Sequence, residues 1–401
     1  MPPHLPPPPD GRTLVLAAGK AAASMALAVE RHWPADRKLF GIALTRYGHA
    51  LPLERIRWVE AGHPVPDEAG EQAAREMLGA ARAIKSVDLL LALISGGGSA
   101  LLSLPAHGIS ISDLRTVTRD LLRSGATIQE INSVRKHLSL IQGGRLAAAC
   151  KAPVLTLIIS DVTGDDPTHI ASGPCAPDPS TFQDAVDVLN RFDVKPPRAV
   201  LEHLIAGLRG RREETPKPGS EVFENVENRV IGTARRSLEA AARLFRENSV
   251  VPVILGDSIT GEAREVAKVM AAIAREIRAH GTPFRPPVAL ISGGECTVTV
   301  RGMNGRGGRC VEFLLALGLE LAGSADVHAI AADTDGIDGS EDNAGALLAP
   351  DSLARARAQG LDARKFLAAN DSYGIFSALG DLVVTGPTRT NVNDYRAILI
   401  A

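Results

Sequence analysis

Seven continuous apolar runs, each stopped by glycine or a small polar or charged residue, confine this chain to a few architectures. They are TLVLAAGK (13–20), VDLLLALISGGGSALL (87–102), PVLTLIISDVTGDD (153–166), VPVILGDSITGEA (251–263), PVALISGGE (287–295), DVHAIAADTDGIDG (326–339) and GDLVVTGPTRTNVND (380–394). A run without polar alternation reads as a strand buried on both faces, whose carboxyl end carries a polar loop. Between the runs lie helical patterns rich in Ala, Leu, Glu and Arg, such as AAASMALAVERHW and EAREVAKVMAAIAREIRAH. The expected fold class is α/β, as two α/β domains with largely parallel sheets and ligands bound beyond the strand ends.

A chain of 401 residues is long enough for two cores. The stretch GLRGRREETPKPGS (207–220) is charged and broken by Pro and Gly, which marks a surface linker and divides the chain into residues 1–220 and 221–401. The opening proline run reads as a polyproline II arm outside any core. A formal net charge of -2, from 44 basic and 46 acidic residues, leaves no polybasic field. Aromatic residues for base stacking are scarce, so nucleic acid is not an expected partner. No apolar run has bilayer length and the N-terminus has no leader pattern, so the expected location is cytoplasmic, with no membrane partner. Cys150, Cys175, Cys296 and Cys310 lie far apart with no CxxC, as reduced thiols do.

Five segments carry chemistry. SGGGSALL follows a buried strand and opens a helix, so the amides of Ser95, Gly96, Gly97, Gly98 and Ser99 can cradle a phosphate or carboxylate; a tight turn with no ligand is the plain alternative. Lys20 ends another strand before a helix, where it either neutralises phosphate or is a solvated surface lysine. SDVTGDDP supplies Asp161, Asp165 and Asp166, and DTDGIDG supplies Asp333, Asp335 and Asp338; hard oxygen ligands at strand ends suit a magnesium phosphate complex, though some of these will cap helices. ISGGECTVTVRGMNGRGGRCVEF (291–313) brings a carboxylate, Glu295, and a guanidinium, Arg309, among many backbone N–H groups. There is no GxxxxGK[ST] loop, no HRD with DFG, and no GxGxxG after a strand with its downstream acid.

Taken together, SGGGSALL, NSVRKHLSLIQGGRLA (132–147), SDVTGDDPTHIASGPCAPDPST (160–181), ISGGECTVTVRGMNGRGGRC, DTDGIDG and TGPTRTNVND resemble, in order and over nearly the whole chain, the class II glycerate 2-kinase family, whose C-terminal part is called MOFRL. The resemblance implies transfer of the ATP γ-phosphoryl group to the 2-hydroxyl of D-glycerate with a divalent metal, Mg2+ or Mn2+. It also implies a first domain that is Rossmann-like and an active site in the inter-domain cleft. Lys20 matches the family's AGKA lysine, Arg309 its GGRN arginine, Asp161 and Asp335 its active-site aspartates, and Glu295 its glutamate after paired glycines. Asn391, in TGPTRTNVND, joins the ligand-binding residues. Phosphoryl transfer is mostly positioning and electrostatic stabilisation, so Lys20 and Arg309 fall to the transferring group. One of Asp161, Asp333 and Asp335 is then the base and the others hold the metal. The loop at residues 95–99 takes either nucleotide phosphate or the glycerate carboxylate.

The chain departs from the family in three places. Cys310 and Ala234 stand where the family commonly has Asn, each a lost amide toward ligand, and the chain begins almost at the first strand, where the family has a helix. Relatives also carry the label hydroxypyruvate reductase, an NAD(P)H-dependent activity for which the dinucleotide fingerprint is missing. A catalytically decayed binding protein is the third reading. A homodimer is one assembly open to the chain.

Overall fold

The computed structural model describes residues 1–301 and 305–401, so residues 302–304 of the glycine-rich segment lie outside the described residues. The chain forms two compact units, Met1–Ile231 and Gly232–Ala401. The expected division after residue 220 falls short of this boundary because the next strand, Val226–Gly232, is taken up by the first sheet.

That sheet consists of β1 (Thr13–Ala18), β2 (Leu39–Arg46), β3 (Ile56–Ala61), β4 (Leu89–Ser95), β5 (Val154–Ile159) and β6 (Val226–Gly232), in the spatial order β3-β2-β1-β4-β5-β6. The pairs β1–β2, β2–β3, β1–β4 and β4–β5 are parallel. This is the Rossmann order, in which the direction of winding reverses between β1 and β4 and ligands bind beyond the carboxyl ends at that point. The unbroken apolar runs follow from helices on both faces. Leu14, Leu16, Leu90, Ala92 and Ile94 pack toward Ala73, Ala74 and Met77 of the helix Glu68–Ala83. Their neighbours Val15, Ala17, Leu91 and Leu93 pack toward Met25, Ala26 and Val29 of the helix Ala22–His32, as two-residue alternation requires. Met1 and Leu5 rest against this second face, so the proline-rich start is not outside the core as expected.

A separate cluster joins the helices Ile111–Ser124, Ile128–His137, Phe182–Arg191 and Arg198–Leu208 through Val117, Leu121, Ile131, Val134, Phe182, Leu189 and Leu204. The first three helices each begin with a reciprocal capping box, Ser110–Asp113, Thr127–Glu130 and Thr181–Asp184.

The second unit contains β7 (Val251–Gly256), β8 (Gly261–Glu262), β9 (Val288–Gly294), β10 (Cys296–Thr297), β11 (Val327–Asp333), β12 (Gly345–Leu348), β13 (Leu382–Val383) and β14 (Asp394–Ile400). Its main sheet has the order β13-β12-β11-β14-β9-β7, with β8 and β10 forming a short parallel pair. Here the expectation of a largely parallel sheet fails. Among the described residues only β7–β9 is parallel in the main sheet; β9–β14, β14–β11, β11–β12 and β12–β13 are antiparallel. The cause is β14, which inserts between β9 and β11 and runs against both. Its sequence follows the run at 380–394, most of which is loop. Leu290 and Ile398 pack with Ala274 and Ile277 of the helix Ala263–His280 and with Leu314 and Leu317 of the helix Arg309–Leu321. Among the described residues no helix is long and apolar enough to cross a membrane.

Candidate active site

In the first unit the turns after β1 and β4 lie side by side at the switch point. Lys20 N donates to Gly96 O at 2.8 Å, and Ala21 N donates to Ser95 Oγ at 3.0 Å. A Cβ on Gly19 would sit 2.2 Å from that Ser95 oxygen, so only glycine lets the two turns approach. Gly97 holds φ at 81°, and a Cβ there would meet His63 Nε2 at 3.0 Å and Lys20 Cγ at 3.2 Å. Lys20 is therefore held against the glycine loop by its backbone. Gly98 begins the four-residue helix Gly98–Leu101, and Ser99 Oγ accepts from Ser172 Oγ at 2.9 Å. Ser172 belongs to a turn in which Ala171 and Ser172 both hold left-handed conformations, with φ of 51° and 58°. Such backbone costs on the order of 1–3 kcal/mol per residue and persists where the surroundings impose it. Asp161 is partly exposed in the loop after β5, at the same sheet end as Ser95, which pairs in register with Ile159.

The second unit builds its site by strand register. Asp394, the first residue of β14, pairs with Gly294 at the end of β9 and with Asp333 at the end of β11. Antiparallel pairing thus puts Glu295, Asp394 and Asp333 at one sheet edge. Into that edge Arg309 projects from the start of its helix. Its Nε donates to Asp394 Oδ1 at 2.8 Å, its Nη2 to Asp333 Oδ2 at 2.7 Å, and its Nη1 lies 3.2 Å from Glu295 Oε1. Asp333 and Asp394 are buried, whereas the Glu295 side chain is 54% exposed. Burial opposes the arginine's charge, and Asp394, Glu295 and Asp333 outweigh it, holding the guanidinium above its ordinary value. Burial also pushes the Asp333 carboxyl up to about 7 against the pull of Arg309, with Asp335 and Asp394 adding to the rise. Asp335 is tied in through its backbone N–H, which donates to Asp333 Oδ1 at 3.0 Å. Asn391 is 5% exposed; its Oδ1 accepts from Asn393 N at 3.3 Å, and Asn393 O accepts from Thr334 N at 3.2 Å.

Several expectations change here. Asp338 caps the helix, its carboxylate accepting from Cys310 N at 3.0 Å and Val311 N at 2.9 Å, and burial pushes it up to about 6. Of the expected metal set, Asp161 belongs to the first unit and Asp333 and Asp335 to the second, where Asp333 is engaged by a guanidinium. Among the described residues no three His, Cys, Asp or Glu side chains are placed to hold a metal ion. Mg2+ itself keeps several waters and takes only one or two protein carboxylates, a smaller set than that. Cys310 is 1% exposed within the apolar core, where burial pushes its thiol well above the usual range. Ala234 is the first residue of the helix Ala234–Glu247, partly exposed behind its cap Thr233. Asp394 was not among the expected site residues, although it ends the TGPTRTNVND block.

Residues 4–205 match the family described as domain of unknown function DUF4147, and residues 288–394 match the MOFRL family. The glycerate 2-kinase of Pyrococcus horikoshii is 42% identical over 96% of this chain and 86% of its own length. The chain belongs to the class II glycerate 2-kinase family. The crystal structure of a glycerate kinase from Thermotoga maritima superposes with a TM-score of 0.86 at 39% identity, covering 98% of this chain and 92% of the other. A protein of Agrobacterium vitis provisionally named a hydroxypyruvate reductase is 52% identical over 99% of this chain and 89% of its own length. Members of this class II glycerate 2-kinase family thus carry two different activity names.

Proposed function

We propose that this protein transfers the γ-phosphoryl group of ATP to the 2-hydroxyl of D-glycerate, giving 2-phosphoglycerate and ADP. The observation that carries this reading is the fixed guanidinium of Arg309 beside a buried carboxylate pair, in a chain 42% identical to a named glycerate 2-kinase. Lys20 and Arg309 supply positive charge to the transferring group, whose transition state spreads negative charge over its oxygens. Glu295, the exposed member of the clamp, is the partner that a phosphoryl oxygen displaces from Arg309. The Asp333–Asp335 pair takes the hydroxyl proton, since a carboxyl titrating near 7 is matched to base catalysis at neutral pH. Magnesium belongs to the MgATP substrate, which needs only one or two protein carboxylates. The cytoplasm is the location in keeping with these substrates.

The pH profile follows from the Asp333 carboxyl. A base must be ionised, so kcat/KM falls as pH drops through about 7, and Asp333→Asn removes that limb together with most of the activity. An unchanged acid limb in Asp333→Asn assigns the proton elsewhere.

The product is tested with enolase, which acts on 2-phosphoglycerate and not on 3-phosphoglycerate. With D-glycerate, ATP and enolase alone, phosphoenolpyruvate absorbance should rise. A rise only after phosphoglycerate mutase is added makes the enzyme a 3-kinase.

The reductase reading has the Rossmann strand order and the name of the A. vitis relative in its favour. Against it, the turn after β1 holds one glycine and Lys20 where a dinucleotide fold carries three glycines. NADH consumption with hydroxypyruvate, in the absence of ATP, decides for the reductase.

A further inference from the structure

The helix Ile128–His137 ends in three basic residues, Arg135, Lys136 and His137. Two of them face acids: Lys136 Nζ lies 3.2 Å from Asp178 Oδ1, and His137 Nε2 lies 3.0 Å from Glu214 Oε2. Arg135 is different. It is only 9% exposed, and its one side-chain hydrogen bond runs from Nη1 to a neutral acceptor, Asn132 Oδ1, at 3.3 Å. Among the described residues no carboxylate lies within ion-pair distance, and burial pushes the guanidinium down to about 10 with no acid opposing the fall. Its Nε and Nη2 are not among the buried polar atoms that lack a partner, so these donors still meet solvent. A desolvated cation with two donors left over is costly to keep and is suited to an anion that arrives from outside.

We propose that Arg135 receives the carboxylate of the hydroxy-acid acceptor. The assignment of the acid as glycerate rests on the kinase reading above; the carboxylate site itself does not. Asn132 fixes the arginine's position, because its Nδ2 donates to His169 O at 3.2 Å while its Oδ1 accepts from Arg135. His169 in turn leads into the left-handed residues Ala171 and Ser172, and Ser172 bonds Ser99 of the glycine loop. Arg135 is thereby linked to the loop whose ligand the sequence left open between phosphate and carboxylate. Charge decides between them. Lys136 is paired with Asp178, which leaves Arg135 as the cation of this helix end that faces no acid, and a monocarboxylate matches it through a two-pronged guanidinium contact. A nucleotide polyphosphate would bring several negative charges to one cation.

The helix C-terminal dipole also favours a cation at this place, which is the purely structural account of Arg135. The two accounts give opposite results in Arg135→Met. A binding arginine is a burden on the free protein, so the variant should have a higher Tm without ligand, while its Kd for D-glycerate rises on the order of a hundredfold and its Kd for ATP holds. KM for glycerate rises far more than kcat falls. Arg135→Lys keeps the charge without the fork and should fall between. The readout is calorimetric titration of the full chain with D-glycerate, ATP, lactate, glycolate and neutral glyceramide. A lower Tm with glycerate affinity intact establishes the structural cation and overturns the proposal, as does weakened ATP binding with glycerate unaffected. If the wild type ignores D-glycerate but binds another of the acids and not glyceramide, and Arg135→Met abolishes that binding, the carboxylate site stands and the kinase reading falls. Binding of no acid defeats both.

Discussion

Arg309→Ala should lower kcat by about a hundredfold or more and also destabilise the second unit by about 3–5 kcal/mol. Both effects come from one geometry. Asp333 and Asp394 are 5% and 3% exposed, and Arg309 bonds each of them at under 3 Å. Without the guanidinium, two buried carboxylates face each other with only Arg396, 3.9 Å from Asp394 Oδ2, to offset them, and Asp333 takes up a proton. Since the Asp333 carboxyl is already raised to about 7, the folded variant binds more protons than the unfolded chain across the range from about 4 to 7. Its stability therefore declines as pH rises through that range, and the loss is smaller at pH 5 than at pH 8. Urea unfolding at the two pH values measures this, and initial rates of ADP release measure the chemistry. The effects are separated by adding Asp333→Asn and Asp394→Asn to Arg309→Ala, which should restore most of the stability and none of the activity. To keep the role of the base out of the comparison, Arg309→Ala with Asp394→Asn alone is assayed beside it. Recovery of wild-type kcat in that double variant would reduce Arg309 to a structural clamp.

The sequence was legible where one physical rule acted alone. In the first sheet, β1, β4 and β5 are continuous apolar runs because helices cover both faces, and the turns after β1 and β4 lie side by side at the switch point. β14 was not legible. Its sequence, DYRAILI, places Arg396 in the middle of a central strand, where a charge argues against burial. In the fold Arg396 is 2% exposed, donating to Ile259 O at 3.2 Å, Gly293 O at 3.1 Å and Cys296 Sγ at 2.8 Å, partners that no local pattern announces. Missing β14 made the second sheet look parallel. It also hid Asp394, because a search of strand carboxyl ends passes over a residue that begins a strand, and only antiparallel pairing brings such a residue to the same edge. The helical cluster around Leu121 and Phe182 could have been found from its S-x-x-D and T-x-x-[DE] capping boxes, which the longer Ala-rich patterns overshadowed. For Arg135 no sequence signal exists. Nothing in NSVRKHLS says which of its cations will find an acid.

Lys20→Ala should also reduce kcat by about a hundredfold or more, with a much smaller loss of stability than Arg309→Ala. The turn that carries Lys20 is set by backbone atoms: Gly19 against Ser95, Lys20 N on Gly96 O, and Ala21 N on Ser95 Oγ. None of these is removed by truncating the side chain, which is partly exposed. What is lost is a compact ammonium delivered to the carboxyl end of β1, beside the glycine loop. If that ammonium meets the phosphoryl group only as negative charge develops, kcat falls and KM for ATP barely moves; if it also holds the ground-state phosphates, KM rises as well. Lys20→Arg restores charge but puts a longer side chain with a planar head in place of a compact ammonium, so charge alone should recover only part of the rate. Steady-state kinetics in both substrates, with the melting temperature measured alongside, distinguishes these cases. A change in KM for ATP with kcat untouched would make Lys20 a nucleotide-binding residue and leave Arg309 to act on the transition state without it.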